Sequence, residues 1–574
     1  MEVEEAYRYV LSNITQKVSD RPGMLEVVKE ACGGGNVVFS APPGYGKTNV
    51  SYTLAFLSSK SLGPWAPHTI HILPLRSIIE DVYRRLFTDD GKPVIWELNK
   101  HRVAKQMLGS SESPYLQKSL VLTTIDTYIL SAIRVPPGDH VKIGKGVSLG
   151  HGEYTRAALL SSNSIFDEVQ LLLEEGRKLT AAFISTLEFL SYTKTPFIIM
   201  SATVPKCLSE FLSSRGIQFK LLKYGVDFKS SEFENAELSK RVNFHRETLN
   251  SREEYISTVV KNVRELKSAE KILIVSNTIK KTIEIAKSLE EDLGEKITIL
   301  HSKIIAKDRR SRLEKLTKTN KWIITSTQVV EAGIDVSANA LITEATTPSA
   351  IIQRAGRLLR KNEEEGEIRI LYDRSEVDEG GYYSVYPLNL VDSSYSILEE
   401  CGRYIQWHIP IVKGENKIGY EEFLEKAYEK AEFKILFDYV IYNRLKKMMF
   451  LLNVNPREAL KALEDYGSLT REQPLILGIV DYGEFFKQNK EYELDDKNIK
   501  ELFDDYSFTL TMSDVKLLVK HNCLALKLHD SKLLCFNSKN IIRRFSIEEF
   551  KDIIALIVPA KFYDDLYGFT GEFL

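Results

Sequence analysis

Short apolar runs alternate with longer stretches of helical period through the first 225 residues or so. Runs at 36–40, 69–73, 120–122, 164–166 and 197–200 read as strands, with helices between them. From about 226 to 250 the chain turns polar and irregular, the composition of a linker. The rhythm restarts with runs at 271–275, 296–300, 322–326 and 340–343. This alternation predicts two successive α/β domains, each built on a parallel sheet. Past about residue 373 a Gly- and Tyr-rich stretch leads into long helical patterns, among them an apolar stripe at 437–452. Near the end, the runs SFTLTM and KLLVKHNCLALKL alternate in the manner of strands. The expected division is 1–230 and 231–390 for the two α/β domains, and 391–574 for a largely helical accessory domain.

Composition narrows this only a little. The 574 residues exceed what one hydrophobic core supports, and 43% hydrophobic with 27% charged residues is ordinary for a folded chain. Lys and Arg total 77 against 79 Asp and Glu, so any anionic partner must be held by local patches rather than by net charge. The five cysteines show no CxxC spacing, which supports neither a zinc knuckle nor a disulfide framework. The acidic amphipathic start is unlike a signal peptide, and no apolar run reaches the ~18 residues a membrane span needs. The expectation is a soluble, cytoplasmic protein.

The most specific signal is Ala41-Pro42-Pro43-Gly44-Tyr45-Gly46-Lys47-Thr48, between an expected strand and an expected helix. That context makes a phosphate-binding loop. Backbone N–H groups at a helix N-terminus cradle an anion, Gly44 and Gly46 allow close approach, Lys47 adds a point charge, and the Thr48 hydroxyl can ligate Mg²⁺. A carboxylate at a second strand end should complete the site, and Asp167 and Glu168 supply it: Asp167 for the Mg²⁺ shell, Glu168 as base toward an attacking water. Small polar clusters follow most of the expected strands, including Thr123-Thr124, Ser201-Ala202-Thr203, Ser276-Asn277 and Thr327-Gln328. In open α/β sheets such strand ends line the ligand edge, so two edges should face one another across a cleft. Gln353-Arg354-Ala355-Gly356-Arg357-Leu358-Leu359-Arg360 offers Arg357 and Arg360 three apart. On a helix both would reach one side and could touch a γ-phosphate held by the other domain.

The series APPGYGKT, LPLRSIIEDV, VLTTIDTYI, FDEVQ, MSAT, LIVSNT, TSTQVVEAGIDVS and QRAGRLLR resembles that of superfamily 2 helicases over roughly residues 20 to 372. With LHSKIIAKDRRSR and LITEATTPSAIIQRAGRLLR, it looks most like the CRISPR-associated helicase of type I interference. The resemblance implies two tandem RecA-like domains and ATP as the nucleotide. It assigns ATP to the loop residues Ala41 to Thr48, with Gly333, Asp335, Gln353, Arg357 and Arg360 completing the site. Ser201 and Thr203 would couple it to the nucleic-acid path, while Thr124, Ser276, Asn277 and Thr327 would touch a single DNA strand. Relatives of this kind carry an HD nuclease ahead of the motor. A P-loop beginning at residue 41 leaves no room for one upstream, which implies a separate nuclease subunit, together with a CRISPR surveillance complex. The His529-Asp530 pair, without companion histidines, reads as a surface dipeptide. Other superfamily 2 work on RNA or in repair, or a nucleotide-dependent clamp without unwinding, are the alternatives. Between Lys303 and Lys321, eight cations against two carboxylates form either a strand-contacting face or a solvated helix face.

Overall fold

The computed structural model describes residues 2–571, apart from 16–20, 61–65, 89, 108–109, 140–141, 144–145, 175, 267, 332–333, 362, 413–416, 452–454, 467–475, 494–495, 530–531, 544–548 and 550–552. Eight strands form the first sheet, in the order Ser110–Ser111, Val103–Met107, Leu120–Thr124, His68–Leu73, Ser162–Asp167, Phe197–Ser201, Val37–Ser40 and Lys220–Lys223. All pair in parallel except the two-residue strand at the edge. The central strands are buried along their whole length, as a sheet covered by helices on both faces requires. Register brings Ser40 beside Ser201, and Asp167 beside Met200. The phosphate loop, the Asp-Glu pair and the Ser-Ala-Thr cluster therefore leave the sheet at one edge.

The second sheet has six parallel strands in the order Thr298–Leu300, Trp322–Ser326, Lys271–Val275, Ala340–Glu344, Glu365–Asp373 and Arg241–Leu249. The last of these corrects the expected linker at 226–250. That segment holds the helix Ser231–Leu238, capped by the Ser230 hydroxyl, and then the nine-residue edge strand Arg241–Leu249. The strand was hard to read because its apolar face is short and broken by polar residues: Val242 and Phe244 pack half-buried on the core between the exposed Arg241, Asn243 and His245. Its hydrogen bonds come from pairing along Glu365–Asp373, not from any pattern of its own.

The region beyond 388 has two parts. The helices Leu388–Cys401, Tyr420–Lys430, Tyr439–Phe450 and Pro456–Tyr466 come first. Tyr439–Phe450 matches the expected stripe and buries Ile441, Leu445, Met448 and Met449 in the core of the first sheet. Asp438 caps it by accepting from the amides of Val440 and Ile441 at 2.9 and 3.0 Å. The helical description stops there. A mixed six-stranded sheet follows, ordered Glu491–Glu493, Lys532–Asn537, Leu524–His529, Ile553–Pro559, Ile476–Asp481 and Ser507–Leu510. Of the two late runs, SFTLTM supplies a strand, whereas KLLVKHNCLALKL splits into the end of the helix Met512–Lys520 and the strand Leu524–His529.

This last sheet docks on the second one through the basic stretch. Lys303 pairs with Asp514 at 2.6 Å, Lys307 donates to the Tyr506 hydroxyl at 2.6 Å, Arg310 pairs with Asp505, and Arg312 donates to the Asp565 carbonyl at 2.6 Å. Four of the cations expected either to face a strand or to be solvated are thus spent on an internal interface. The aromatic residues of the Tyr-rich stretch and the helical region after it go mostly inward. Trp407 stacks on Phe244 at 5.9 Å, Tyr383 and Tyr395 are buried, and Tyr382 is exposed. Among the described residues no helix is long and apolar enough to cross a membrane.

Candidate functional site

The loop after Val37–Ser40 turns on Gly44 and Gly46, with φ of 77° and 95°, values that L side chains rarely adopt. A Cβ placed on Gly44 would meet nothing within 4 Å, so the loop is open beside this residue. Tyr45 turns the other way: it is buried against Tyr224, Phe228 and Phe233, and its hydroxyl donates to the Pro22 carbonyl at 3.1 Å. Only its main chain can serve a ligand in the loop; its ring anchors the loop to the core. The buried Lys47 donates to the carbonyls of Ala41 at 3.0 Å and Pro42 at 3.4 Å. Thr48 opens the helix Asn49–Ser59.

Opposite lies Glu168, with a φ of 51°, a left-handed conformation outside glycine that costs of order 1–3 kcal/mol. Burial raises its carboxyl above the usual range, and Asp167 adds to this, against the opposing charges of Lys47 and Arg357 and a hydrogen bond from Gln170. Asp167 accepts from the Glu168 amide at 3.0 Å and lies 3.3 Å from Nε2 of the buried His71. Gln170 donates to Glu168 Oε2 at 2.7 Å and accepts from the Ser201 hydroxyl, which in turn accepts from the Thr203 amide at 3.0 Å. The Asp-Glu and Ser-Ala-Thr clusters are therefore one hydrogen-bonded unit. His71 and Gln170 were not singled out as site residues. Gln170 was legible as the last letter of FDEVQ, whereas His71 sits mid-strand with no sequence signal.

The second body reaches this unit directly. Gln353 donates from Nε2 to Glu168 Oε2 at 3.2 Å, and a Cβ on Gly356 would come within 2.9 Å of the Pro43 Cβ. The helix Pro348–Ala355 ends before Arg357, so Arg357 and Arg360 do not share a helix face as expected. They lie beyond its end, where Leu359 has a φ of 50°. Arg357 is buried and donates to the Glu331 carbonyl at 2.6 Å, while its Nε has no hydrogen-bond partner among the described residues. Burial lowers its pKa, and the neighbouring Arg360 lowers it further. Arg360 pairs with Asp335 at 3.2 Å. Arg354, which sequence reasoning passed over, is fully buried and braced by Glu331 at 2.7 Å, Thr343 at 2.8 Å and Asn277 at 3.0 Å. It is the scaffold arginine of the motif.

Other expected residues are placed differently. Asn277 is spent inside the second body, with its amide on Glu344 at 2.7 Å, its side-chain nitrogen on the Ala345 carbonyl at 2.9 Å and its Oδ1 on Arg354. Ser276, Thr327 and Thr124 are buried at their strand ends; Thr124 donates to Thr127 at 3.3 Å. As they stand, these side chains are covered rather than presented to a strand. Gly333, Asp530 and the His529 side chain lie outside the described residues.

The arrangement suits a nucleoside triphosphate. An open loop of backbone donors, a lysine resting on neutral carbonyls and an arginine with an unpartnered nitrogen all converge near Glu168. Thr48 and Asp167 are the groups that would hold Mg²⁺, which seldom takes more than one or two protein carboxylates. Among the described residues no group of three or more His, Cys, Asp or Glu is placed to hold a metal.

Comparison with known proteins gives two matches along the motor. Residues 21–211 match the DEAD/DEAH box helicase model, and residues 268–363 match the C-terminal model of the CRISPR-associated nuclease/helicase Cas3. Along these two segments the chain is similar to DEAD/DEAH box helicases and to Cas3. The Cas3 nuclease/helicase of Methanothermobacter thermautotrophicus is 26% identical over 382 residues, which are 63% of this chain and 42% of that protein. The Cas3 helicase of Thermoproteus tenax is 24% identical over 338 residues, 57% of this chain and 54% of the relative. The chain thus spans about half the length, or less, of these relatives. Of solved structures, T. fusca Cas3 with ADP has a TM-score of 0.60 at 15% identity, covering 96% of this chain and 68% of that one. The Cas3-type fold therefore extends past the motor into the accessory region.

Proposed function

We propose that the chain is an ATP-dependent translocase or helicase on single-stranded DNA, acting inside the cell in CRISPR interference with a separate HD-type nuclease subunit and a surveillance complex. The observation that carries this reading is the bridge from Gln353 to Glu168, since it lets the second body sense the residue placed to act on the attacking water. In this reading the loop amides and Lys47 hold the phosphates of ATP. Thr48 and Asp167 would hold Mg²⁺, which would supply charge neutralisation there. Glu168 orients and deprotonates water, its raised pKa making it a better base than an exposed glutamate. Arg357 stabilises charge on the transferred phosphoryl group, and it does so only when the bodies are closed, so hydrolysis and domain motion are coupled. The relatives named for Cas3, and the likeness in fold to a chain of a CRISPR RNA-guided surveillance complex, with a TM-score of 0.56, support the assignment to interference.

The test is hydrolysis of ATP by the full chain alone, with single-stranded DNA and with RNA, using Lys47→Ala as the blank. DNA should stimulate turnover by tenfold or more and Lys47→Ala should abolish it. Stimulation by RNA alone would move the chain to another branch of superfamily 2, and a rate indifferent to both polymers would leave a nucleotide-dependent clamp.

A further inference from the structure

The two motor bodies meet a second time, away from Glu168, through a carboxylate that belongs to none of the motifs. Glu174 ends the short helix Val169–Glu174 that follows the Asp-Glu pair. Its Oε2 accepts from Thr347 Oγ1 at 2.8 Å and from Ser349 Oγ at 2.7 Å, both in the second body. Its Oε1 accepts from the Tyr428 hydroxyl at 2.7 Å, in the accessory helix Tyr420–Lys430. Thr347 is the N-cap residue of Pro348–Ala355, the helix that carries Gln353 and leads into Arg357. That helix has no cap from its own side chains; its first turn is tied down by an anion from the other body, at the end where negative charge is favoured.

The accessory helix completes the arrangement. Tyr420 donates to the Ala202 carbonyl, in the middle of the Ser-Ala-Thr cluster, at 3.0 Å. Glu425 accepts from the Lys206 amide at 2.9 Å, and Glu421 pairs with Lys223. Tyr420 and Tyr428 are both buried, one turning toward the first body and the other toward the junction. The helix is thus held on the first body at three points, while Phe423, Leu424 and Ala427 share an apolar core with Ile351, Ile352 and Ala355 of the arginine-bearing helix, and Tyr428 adds the polar link through Glu174.

We infer that Glu174 and Tyr428 form an interdomain latch that positions the arginine-bearing helix over the nucleotide site, with Tyr420–Lys430 as the strap that holds the latch in place. Both are positioning residues: neither touches the loop, and each acts on Arg357 through the helix that Glu174 tethers. Three hydroxyl donors from two other segments converge on the one carboxylate, and a charged acceptor makes hydrogen bonds roughly twice as strong as neutral ones. Water is excluded there, which raises the Glu174 carboxyl, while Ser349, Tyr428 and Thr347 pull it back. The accessory region then has a part in the motor cycle, because opening the cleft must break contacts that it helps to make.

The inference rests on the proposed hydrolysis but is separable from it. Tyr428→Phe removes one hydroxyl without changing the packing, and Glu174→Ala removes the node. Each is compared with wild type by steady-state hydrolysis with single-stranded DNA and by small-angle scattering of the full chain with a non-hydrolysable ATP analogue. Both variants should lose tenfold or more in kcat with KM for ATP within about threefold, at an unchanged thermal midpoint, and both should show a larger radius of gyration than wild type. The double variant should be no worse than Glu174→Ala alone, because both changes act through one contact. Wild-type kcat and wild-type compaction in Tyr428→Phe would overturn the latch, as would strictly additive losses in the double variant. If wild type itself fails to hydrolyse ATP, the proposed function falls, and the scattering comparison still decides the latch.

Discussion

Arg357→Ala tests the coupling between the two bodies most directly. Among the described residues the guanidinium donates one hydrogen bond, to the Glu331 carbonyl, and its Nε has no partner, and its charge is felt at Glu168. An arginine supplied to a transferring phosphoryl group is worth on the order of 10³–10⁵ in turnover. At about 1.4 kcal/mol per decade that is roughly 4–7 kcal/mol of transition-state stabilisation. Arg360 stays near but is engaged by the half-exposed Asp335, so it compensates little, and a loss of about 10³-fold is expected for Arg357→Ala. The effect on folding should be small. The freed Glu331 carbonyl costs about 1–3 kcal/mol, set against relief of the Arg357 and Arg360 repulsion and of the burial that lowers the Arg357 pKa. Single-turnover hydrolysis, run beside binding of a fluorescent ATP analogue, separates the two effects: binding should persist while the chemical step collapses. Arg357→Lys keeps the charge but not the fork and should recover only part of the rate. If Arg357→Ala hydrolysed ATP within threefold of wild type, the arginine would be a packing residue and the coupling argument would fail.

Two further outcomes follow from the same geometry. Gly356 has an ordinary helical φ of −64°, so Gly356→Ala adds no backbone strain but pushes a methyl group toward Pro43, where 2.9 Å is too close. The variant should fold and bind nucleotide yet lose DNA-stimulated turnover by tenfold or more; full activity by the same assay would mean the bodies close elsewhere. The raised Glu168 carboxyl stays protonated to higher pH than an exposed glutamate, and only its ionised form can act as base. Hydrolysis should therefore decline as pH falls through that raised value, with a midpoint above the ~4.3 of an unperturbed side chain. A pH–kcat profile still flat at and below pH 4.5 would argue against Glu168 as the base.

What the sequence disclosed follows from what each element asks of its residues. Strands buried on both faces need apolar runs, so Val37–Ser40, Phe197–Ser201 and Lys271–Val275 were plain. The edge strand Arg241–Leu249 needs only a partner, and its polar pattern resembled a linker. In the site, glycines with positive φ and a lysine at fixed spacing are local requirements and could be seen locally. Arg354 and Arg357 are the same residue type three positions apart and both buried, and only their partners show that one braces the fold while the other faces Glu168. Glu174 was out of reach for a simpler reason: its partners Thr347 and Tyr428 are 173 and 254 residues away.

The pairing of Arg241–Leu249 with Glu365–Asp373 also governs how the protein is made. The first strand of the second sheet to leave the ribosome waits for the last, since Arg241 meets Glu365 across 124 residues of sequence. At 5–20 residues per second, roughly 6 to 25 seconds pass before that edge finds its partner. An apolar strand left unpaired for so long would invite pairing with a neighbouring nascent chain. Arg241, His245, Arg246 and Glu247 make this one a poor template for such pairing. The polarity that hid the strand from sequence reading is what keeps it soluble while synthesis catches up.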